Sequence, residues 1–412
     1  MTIDPPGEAA AAPRRSMAPL YAAGFVTAFG AHGIAANLGL YTHDEHGSLL
    51  VLGVLLALYD GAEVVLKPVF GALTDRIGPR PVLLGGLVAF AVFSAAFVLA
   101  GNPALIGLVR LGQGAAAAAF SPAAGTLVAR RAPTNRQGRA FGGYGSVKSL
   151  GYAAGPLIGG ALVTLGGFIA LYATLAGLAA AVAIWAAVAV PAVAPLPRDR
   201  QTVLDLTRRL SSRGFLLPTA CLATTTAALA VGVGFLPVLG ANTGLNPVET
   251  GAAVSLLAIA TALAQPWAGR ARDAARVRDG AGMAAGLGLA TTGLVVAALA
   301  PGAVGLLTGA LITGAGIGLA TPLGFAALAA NSPTERLGQT MGAAEIGREL
   351  GDAGGPLLVA GVATAATLTG GLLTLAALLA TAAALIARTH PREPPTLPPT
   401  APGNAATPKA GR

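Results

Sequence analysis

Residues 58–81 read LYDGAEVVLKPVFGALTDRIGPRP. This apolar stretch carries Asp60, Glu63 and Lys67 before it reaches a charged turn at Asp75, Arg76 and Arg80. In a soluble domain such charges would mark a solvated helix face. Here hydrophobic residues make up 54% of the 412 and charged residues only 10%, against about 25% charged in soluble domains. Mean hydropathy is +0.70. The stretch therefore reads as a membrane helix. At about 100° per residue, Glu63 lies roughly 60° and Lys67 roughly 20° from Asp60, so all three share a face. An isolated charge at the bilayer centre costs about 2.5–3.5 kcal/mol on insertion scales. Three on one face imply a hydrated or ion-paired interior.

Similar apolar runs recur along the chain. A window of about 19 residues finds spans at 19–40, 49–71, 81–100, 103–129, 140–164 and 166–193. Beyond a polar stretch at 194–213 come 214–240, 248–269, 281–300, 302–329, 337–362 and 364–387. Each can cross a hydrocarbon layer about 30 Å thick as a helix. Helices satisfy their own backbone in lipid, and no run suggests a barrel. The expectation is an all-α membrane protein with twelve transmembrane helices. The domain reading is a tail at 1–18, a six-helix bundle at 19–193, a linker at 194–213, a second bundle at 214–388 and a tail at 389–412. Both tails are Pro- and Ala-rich and read as disordered. The first 18 residues hold no apolar core, so no cleavable signal peptide is expected there.

Lys and Arg choose the orientation. Arg14 and Arg15 precede span 1, Arg76 and Arg80 follow span 2, and Arg130, Arg131, Arg136 and Arg139 follow span 4. The linker holds Arg198, Arg200, Arg208, Arg209 and Arg213; Arg270, Arg272, Arg276 and Arg278 follow span 8, and Arg336 follows span 10. The alternate loops carry no Lys or Arg. By the positive-inside rule both termini and the linker are cytoplasmic. The net charge of +9 is thus a signal of topology, not of a nucleic-acid partner. Mixed Arg and Asp in QTVLDLTRRLSSR (201–213) read as a short amphipathic helix on the inner membrane surface.

The two halves repeat. A shift of 200 carries Pro122 onto Pro322, Arg136 onto Arg336, Gly138 and Gly142 onto Gly338 and Gly342, Lys148 onto Arg348, and Gly155–Pro156 onto Gly355–Pro356. A shift of 198 carries Pro68, Gly71 and Asp75 onto Pro266, Gly269 and Asp273. A six-helix unit duplicated in parallel is an architecture of transporters that rock two bundles about a central site.

At this point the sequence resembles the major facilitator superfamily over essentially the whole chain between the tails. GALTDRIGPR (71–80) is similar to that family's loop motif between spans 2 and 3, with Gly71, Leu73, Asp75, Arg76, Gly78 and Arg80 in place and Pro79 departing from a common basic residue. RLGQG (110–114) is similar to the fourth-span Arg motif. Gly142, Gly151, Gly155, Pro156, Gly159 and Gly160 match the fifth-span motif of the drug/proton antiporter branch. The resemblance implies two pseudo-symmetric six-helix bundles (the major facilitator fold), with spans 1, 2, 4 and 5 and their counterparts, including 11, lining a central cavity. It also implies export in exchange for protons.

The residues themselves give each motif a reading. Gly71 permits close helix approach, and Asp75 can accept from helix N-terminal amides across the bundle. Arg76 and Arg80 either pair with acids of the other bundle in one state or serve as plain positive-inside anchors. Together with Gly78 these residues form a candidate conformational latch. Gly151 and Gly155 lie on one face and Pro156 interrupts the backbone bonding. They read as a tight hinge and seal between bundles, or as ordinary small-residue packing.

The charges inside the spans carry the chemistry. In span 11, Glu345, Arg348, Glu349 and Asp352 fall within about 100° of arc. Asp60 is the first candidate for proton carrier because it lies deepest in span 2 and farthest from Lys67, with Glu63 second and Lys67 and Arg110 as tuning cations. His32, Asn37, Gln113, Lys148 and the four span 11 residues are candidate cavity groups, though Glu63→Lys67 and Arg348 with Glu345 or Asp352 could be static pairs, and His32 a plain helix–helix hydrogen bonder. Deep carboxylates favour a proton-coupled exporter of small amphipathic molecules or drugs. The cations Lys67, Arg110, Lys148 and Arg348 favour a symporter or facilitator for a polar or anionic metabolite. Enzyme chemistry is not expected, because no nucleophile–base pair, phosphate loop or metal cluster can be assembled. Cys221 is single and sits in an apolar run; of the histidines only His43 and His46 are close, an HxxH pair in a short loop. No cofactor beyond a proton gradient is expected. The expected partners are the lipid bilayer, protons and a small-molecule substrate, the chain acting as a monomer. Ala- and Arg-rich, Lys-poor usage points to a GC-rich, bacterial genome, and a multi-pass chain there is expected in the inner membrane.

Overall fold

The computed structural model describes residues 17–44, 49–197, 202–242, 244–245, 247–300 and 302–389. Among these the regular structure is entirely helical. The first half comprises α1 (Ala18–Asp44), α2 (Leu49–Ile77), α3 (Pro79–Ala96), α4 (Pro103–Arg131) and α5 (Gln137–Ala189). The linker holds α6 (Val203–Leu210). The second half comprises α7 (Arg213–Asn242), α8 (Pro247–Asp273), α9 (Asp279–Leu299), α10 (Gly302–Ala330), α11 (Leu337–Ala365) and α12 (Leu368–Thr389).

The 53-residue α5 is two spans in one. Its backbone leaves helical geometry at Gly166 and at Gly167, where φ is +69°, a conformation glycine adopts without penalty. The predicted break near 165 therefore holds, and each half contains six membrane crossings. Spans 2 and 8 extend past their apolar cores into the basic turns, because helix α2 continues to Ile77 and α8 to Asp273. Local chemistry sets several starts. Asn102 caps α4 by accepting from the Leu105 amide at 3.0 Å, with Pro103 at the first helical position. Gly78 precedes α3 at φ +92°, and a Cβ there would stand 2.8 Å from the Val193 carbonyl. Pro79 then opens the helix, a role a basic residue would fill less well.

Each half closes on its own core. Leu83, Leu87, Phe90, Phe120 and Leu127 are buried in the first; Leu257, Met283, Leu287, Leu372 and Leu375 are buried in the second. The first core continues across to Leu337, Met341 and Ala344 of α11, so the halves are joined by apolar packing as well. Outward, Leu165, Val188, Val304 and Leu357 stand exposed, as a lipid-facing surface requires. The linker contains the expected short helix. A reciprocal cap starts it: Thr202 Oγ1 accepts from the Asp205 amide at 3.1 Å, and an Asp205 carboxylate oxygen accepts from the Thr202 amide at 3.1 Å.

Candidate functional site

The halves meet backbone to backbone at the end of the molecule that carries the basic loops. Gly71 of α2 faces Gly338 of α11, where an added Cβ would lie 2.5 Å from the Gly338 carbonyl. Gly142 of α5 lies against Gln265 and Pro266 of α8, and Gly138 against Gly269. Above the first glycine pair, Asp75 accepts from the Gly338 and Gln339 amides, each at 2.8 Å. Its counterpart Asp273 accepts from the Gly138 and Arg139 amides at 2.9 and 2.8 Å. Each carboxylate thus caps the exposed N–H groups at the start of a helix in the opposite half, where the helix dipole also favours negative charge. Arg130 adds a donor to the Thr334 carbonyl at 3.0 Å, again across the halves. The linker joins in: Arg209 donates to Gln339 at the start of α11.

Beyond this seal lies a cavity of about 260 Å³, lined by α1, α2, α4, α5 and α11. Its charged and polar lining includes His32, Tyr59, Asp60, Glu63, Lys67, Arg110, Lys148, Tyr152, Glu349 and Asp352. A smaller pocket of about 40 Å³ continues toward the seal, between Tyr144, Lys148, Gln265, Phe325, Glu345 and Arg348. Between cavity and seal the charges knit together. Lys67, 1% exposed, donates to Glu63 at 2.6 Å, to Glu345 at 3.4 Å and to Glu349. Arg348 donates to both Glu345 oxygens at 3.1 Å. Three carboxylates from two halves therefore share one buried ammonium, with a guanidinium behind them. Arg110, 2% exposed, lies 4.3 Å over the Tyr59 ring and donates to Gln113 at 3.1 Å.

The structure brings most of the sequence-predicted cavity groups together, but not all. Asn37 is buried and donates to the Gly33 carbonyl at 2.7 Å, beside Gly159 and Gly160 of α5, and so serves helix packing. Gln113 is fully buried and donates to Ser94 of α3 at 3.1 Å. Neither lines the cavity. Of the two readings of the fifth-span motif, packing within one half holds for most of its glycines. Gly151, Gly155 and Gly159 receive Phe25, Phe29 and Gly33 of α1 within the same half; only Gly142 seals against the other half. Pro156 stays inside α5, whose backbone break is at Gly166–Gly167 instead. Arg80 donates to the Ala187 carbonyl of its own half at 2.7 Å and Arg76 is exposed. Among the described residues neither is within 4 Å of an acid of the other half in this state; Arg130 stands 3.9 Å from Asp75. His32 packs edge-on against Tyr152, centroids 4.4 Å apart. Asp60 and Asp352 line the cavity with no cation within 4 Å among the described residues. The His43 side chain, His46 and His390 lie outside the described residues. Sequence reasoning missed Arg130, Gln265 and the serines facing α8: Ser146 donates to the Ala262 carbonyl at 2.7 Å, and Gln265 donates to Ser149 at 2.8 Å.

Two pseudo-symmetric six-helix halves around a charged central cavity, sealed at one end, define a membrane transporter. Comparison with known proteins agrees. The family model described as Major Facilitator Superfamily matches residues 20–236 and 216–411. The chain belongs to the major facilitator superfamily, a family of transporters and not of enzymes. It is 32% identical over 147 residues to the multidrug resistance protein MdtG of Erwinia billingiae, covering 35% of this chain and 36% of that protein. It is 30% identical over 176 residues to the MdtG of Klebsiella pneumoniae, covering 41% and 43%. The similarity thus spans less than half the length of these curated relatives. Among solved structures, the human organic anion transporter MFSD10 superposes with a TM-score of 0.75 at 17% identity, over 91% of this chain and 100% of that one. The transporter FucP in its outward conformation superposes with a TM-score of 0.77 at 14% identity, over 90% and 98%. At these identities the superpositions establish the fold.

Proposed function

We propose that the protein exports small amphipathic molecules or drugs across a bacterial inner membrane in exchange for protons. The observation that carries this reading is Lys67, buried among Glu63, Glu345 and Glu349 at the inner end of the cavity. Three carboxylates on one ammonium leave negative charge in excess, and a proton on one of them loosens a tie between the halves. Removing a proton restores it. Protonation and conformation are thereby linked, since anything that binds one state better shifts the equilibrium toward it. Asp60, which opens to the cavity without a cation partner, is the proposed first proton acceptor, and Glu63, already bonded to Lys67, the second. With the basic loops cytoplasmic, the present closure at that end makes this the outward-facing state, ready to release cargo and take up protons. The matches to multidrug resistance proteins support the export direction.

A second reading, a proton symporter or facilitator for a small polar or anionic metabolite, is favoured by Arg110 and Lys148, which line the cavity without a carboxylate within 4 Å among the described residues. Everted vesicles, acid inside, separate the two. Lipophilic cations, neutral drugs and organic anions are added in turn to wild type and Asp60→Asn. Substrate-evoked proton release in wild type, lost in the variant, is expected. Equal responses in both remove Asp60 as carrier. Counterflow of a polar anion without proton exchange overturns export.

A further inference from the structure

We propose that the transported molecule is an amphipathic acid whose anionic group is held by Lys148. This deepens the reading of the cavity as the transport site and rests on it. Four cations face the cavity and the smaller pocket beside it. Lys67 is committed to three carboxylates and Arg348 to Glu345. Arg110 has no acid within 4 Å among the described residues, but it is 2% exposed, donates to Gln113 and is covered by the Tyr59 ring. Lys148 differs from all of these. Among the described residues its ammonium has neither a carboxylate within 4 Å nor a hydrogen bond, and it stands half-buried at the junction of the two cavities.

A charge at membrane depth is expensive unless paired. Its one strong neighbour is the face of Tyr152, at 5.7 Å from the ammonium, a contact worth about 0.5–2 kcal/mol and too weak to replace a counter-ion. The nearest carboxylate, Glu345, is already paired with Arg348 and Lys67 and acts on Lys148 only from beyond 4 Å. Lys148 therefore lacks a negative group in direct contact, at a place open to one of ligand size. Around it, the smaller pocket supplies apolar and aromatic walls in Phe141, Tyr144 and Phe325. A carboxylate or sulfonate on a compact apolar or aromatic body matches both features. Asp60 and Asp352 also face the cavity without a cation. They stand beyond Glu63 and Glu349 on the side away from the seal, and Asp60 is exposed where Lys148 is half-buried, so water solvates Asp60 more fully.

The test uses purified full-length protein in detergent, with 2-naphthoate, its methyl ester and 2-naphthylmethylammonium as probes. Binding is read by calorimetry and thermal shift for wild type, Lys148→Gln and Lys148→Arg. Naphthoate is expected to bind wild type and Lys148→Arg, and to lose at least about tenfold in affinity in Lys148→Gln, as removing a charged hydrogen-bond donor does. The ester should bind weakly and equally to all three. The proposal is overturned by equal naphthoate binding in wild type and Lys148→Gln, by preference for the ammonium probe, or by silence of a folded wild type toward the acid. Binding in detergent needs no gradient, so the two readings fail separately. Lys148-dependent acid binding without proton exchange in vesicles defeats the export reading alone. Proton exchange with cationic drugs, unchanged in Lys148→Gln, defeats this one alone.

Discussion

Removing both carboxylate caps should release the basic-loop seal and turn the transporter inside out. Asp75 and Asp273 each accept two amide hydrogen bonds, at 2.8 to 2.9 Å, from the first turn of a helix in the opposite half. A hydrogen bond to a charged group contributes about 1.5–3 kcal/mol net. Taking the low end for each bond, one latch holds the closed seal by about 3 kcal/mol, or roughly a hundredfold in population. The two latches share no partners, so their effects should add. The double variant Asp75→Ala/Asp273→Ala then shifts the equilibrium by about 10⁴, which carries a two-state protein from about 99:1 to 1:99. The assay is labelling of a cysteine at Ala35→Cys, which lines the cavity, by a membrane-impermeant maleimide added from outside, with the native Cys221 replaced by Ala. Single variants should about halve the labelling rate if the parent starts near 99:1, and the double variant should reduce it about a hundredfold. Asn at either position keeps one carbonyl acceptor and should fall between. A double variant that is folded yet labels within about twofold of its parent refutes the latch reasoning.

Other perturbations separate seal, charge cluster and scaffold. Lys67→Gln leaves Glu63, Glu345 and Glu349 without their ammonium and should destabilise the protein by about 3–5 kcal/mol, read as a lower melting temperature; adding Glu349→Gln should recover part of the loss. Gly71→Leu places a side chain on the Gly338 carbonyl and should open the seal, seen as slower cysteine labelling at position 35. Gly151→Leu meets the Phe25 carbonyl of the same half at 2.5 Å; it should cost about 1–3 kcal/mol of stability by overpacking while leaving the seal equilibrium nearly unchanged. In the linker, the Thr202 hydroxyl and amide hold the Asp205 carboxyl below the ordinary carboxylate range. A depressed folded-state value means the cap supports α6 above the ordinary pKa of about 3.9 and is lost as pH falls below it. Amide exchange in 203–210 should rise in acid, and Thr202→Ala should bring that rise to neutral pH.

The sequence was legible where physics acts within one span. Long apolar windows give the crossings, because lipid penalises charge and leaves the backbone no partner but its own helix. The Glu63→Lys67 pair follows from helical spacing alone. Repetition made Asp273 visible as a second Asp75, and the structure gives both the same pair of backbone donors. What lay hidden depends on which helix a face meets. Asn37 and Gln113 sit on polar faces that turn toward α5 and α3 instead of the cavity. The glycines at 151, 155 and 159 specify close approach but not the partner, which is α1 and not the second half. The convergence of Glu345 and Glu349 on Lys67 joins groups more than 270 residues apart, beyond any local spacing rule. Arg130 looked like one more orienting charge, because a topology signal and a bridge to Thr334 need the same side chain.

The geometry of α2 and α11 supplies the link between cavity chemistry and closure. On α2, Lys67, Gly71 and Asp75 are one turn apart and face α11 in register. Lys67 meets Glu345 and Glu349 through its side chain, and a Cβ on Gly342 would stand 2.6 Å from the Lys67 carbonyl. Gly71 meets Gly338 by close backbone approach, and Asp75 caps the start of α11. One rigid pair of helices therefore carries the charged cluster and the latch within two turns. The glycine contacts leave no slack: α11 cannot draw away from Lys67 without straining the bonds to Asp75. By contrast, α5 and α8 carry the matching latch at Asp273 but bring only neutral groups together at the level above it, Ser146, Ser149, Ala262 and Gln265. Among the described residues the duplicated fold thus keeps two latches and places an ion-paired cluster above only the first. A proton or substrate acting on the Lys67 cluster would reach the α2–α11 contact directly, and the α5–α8 contact only through the rocking of the whole half.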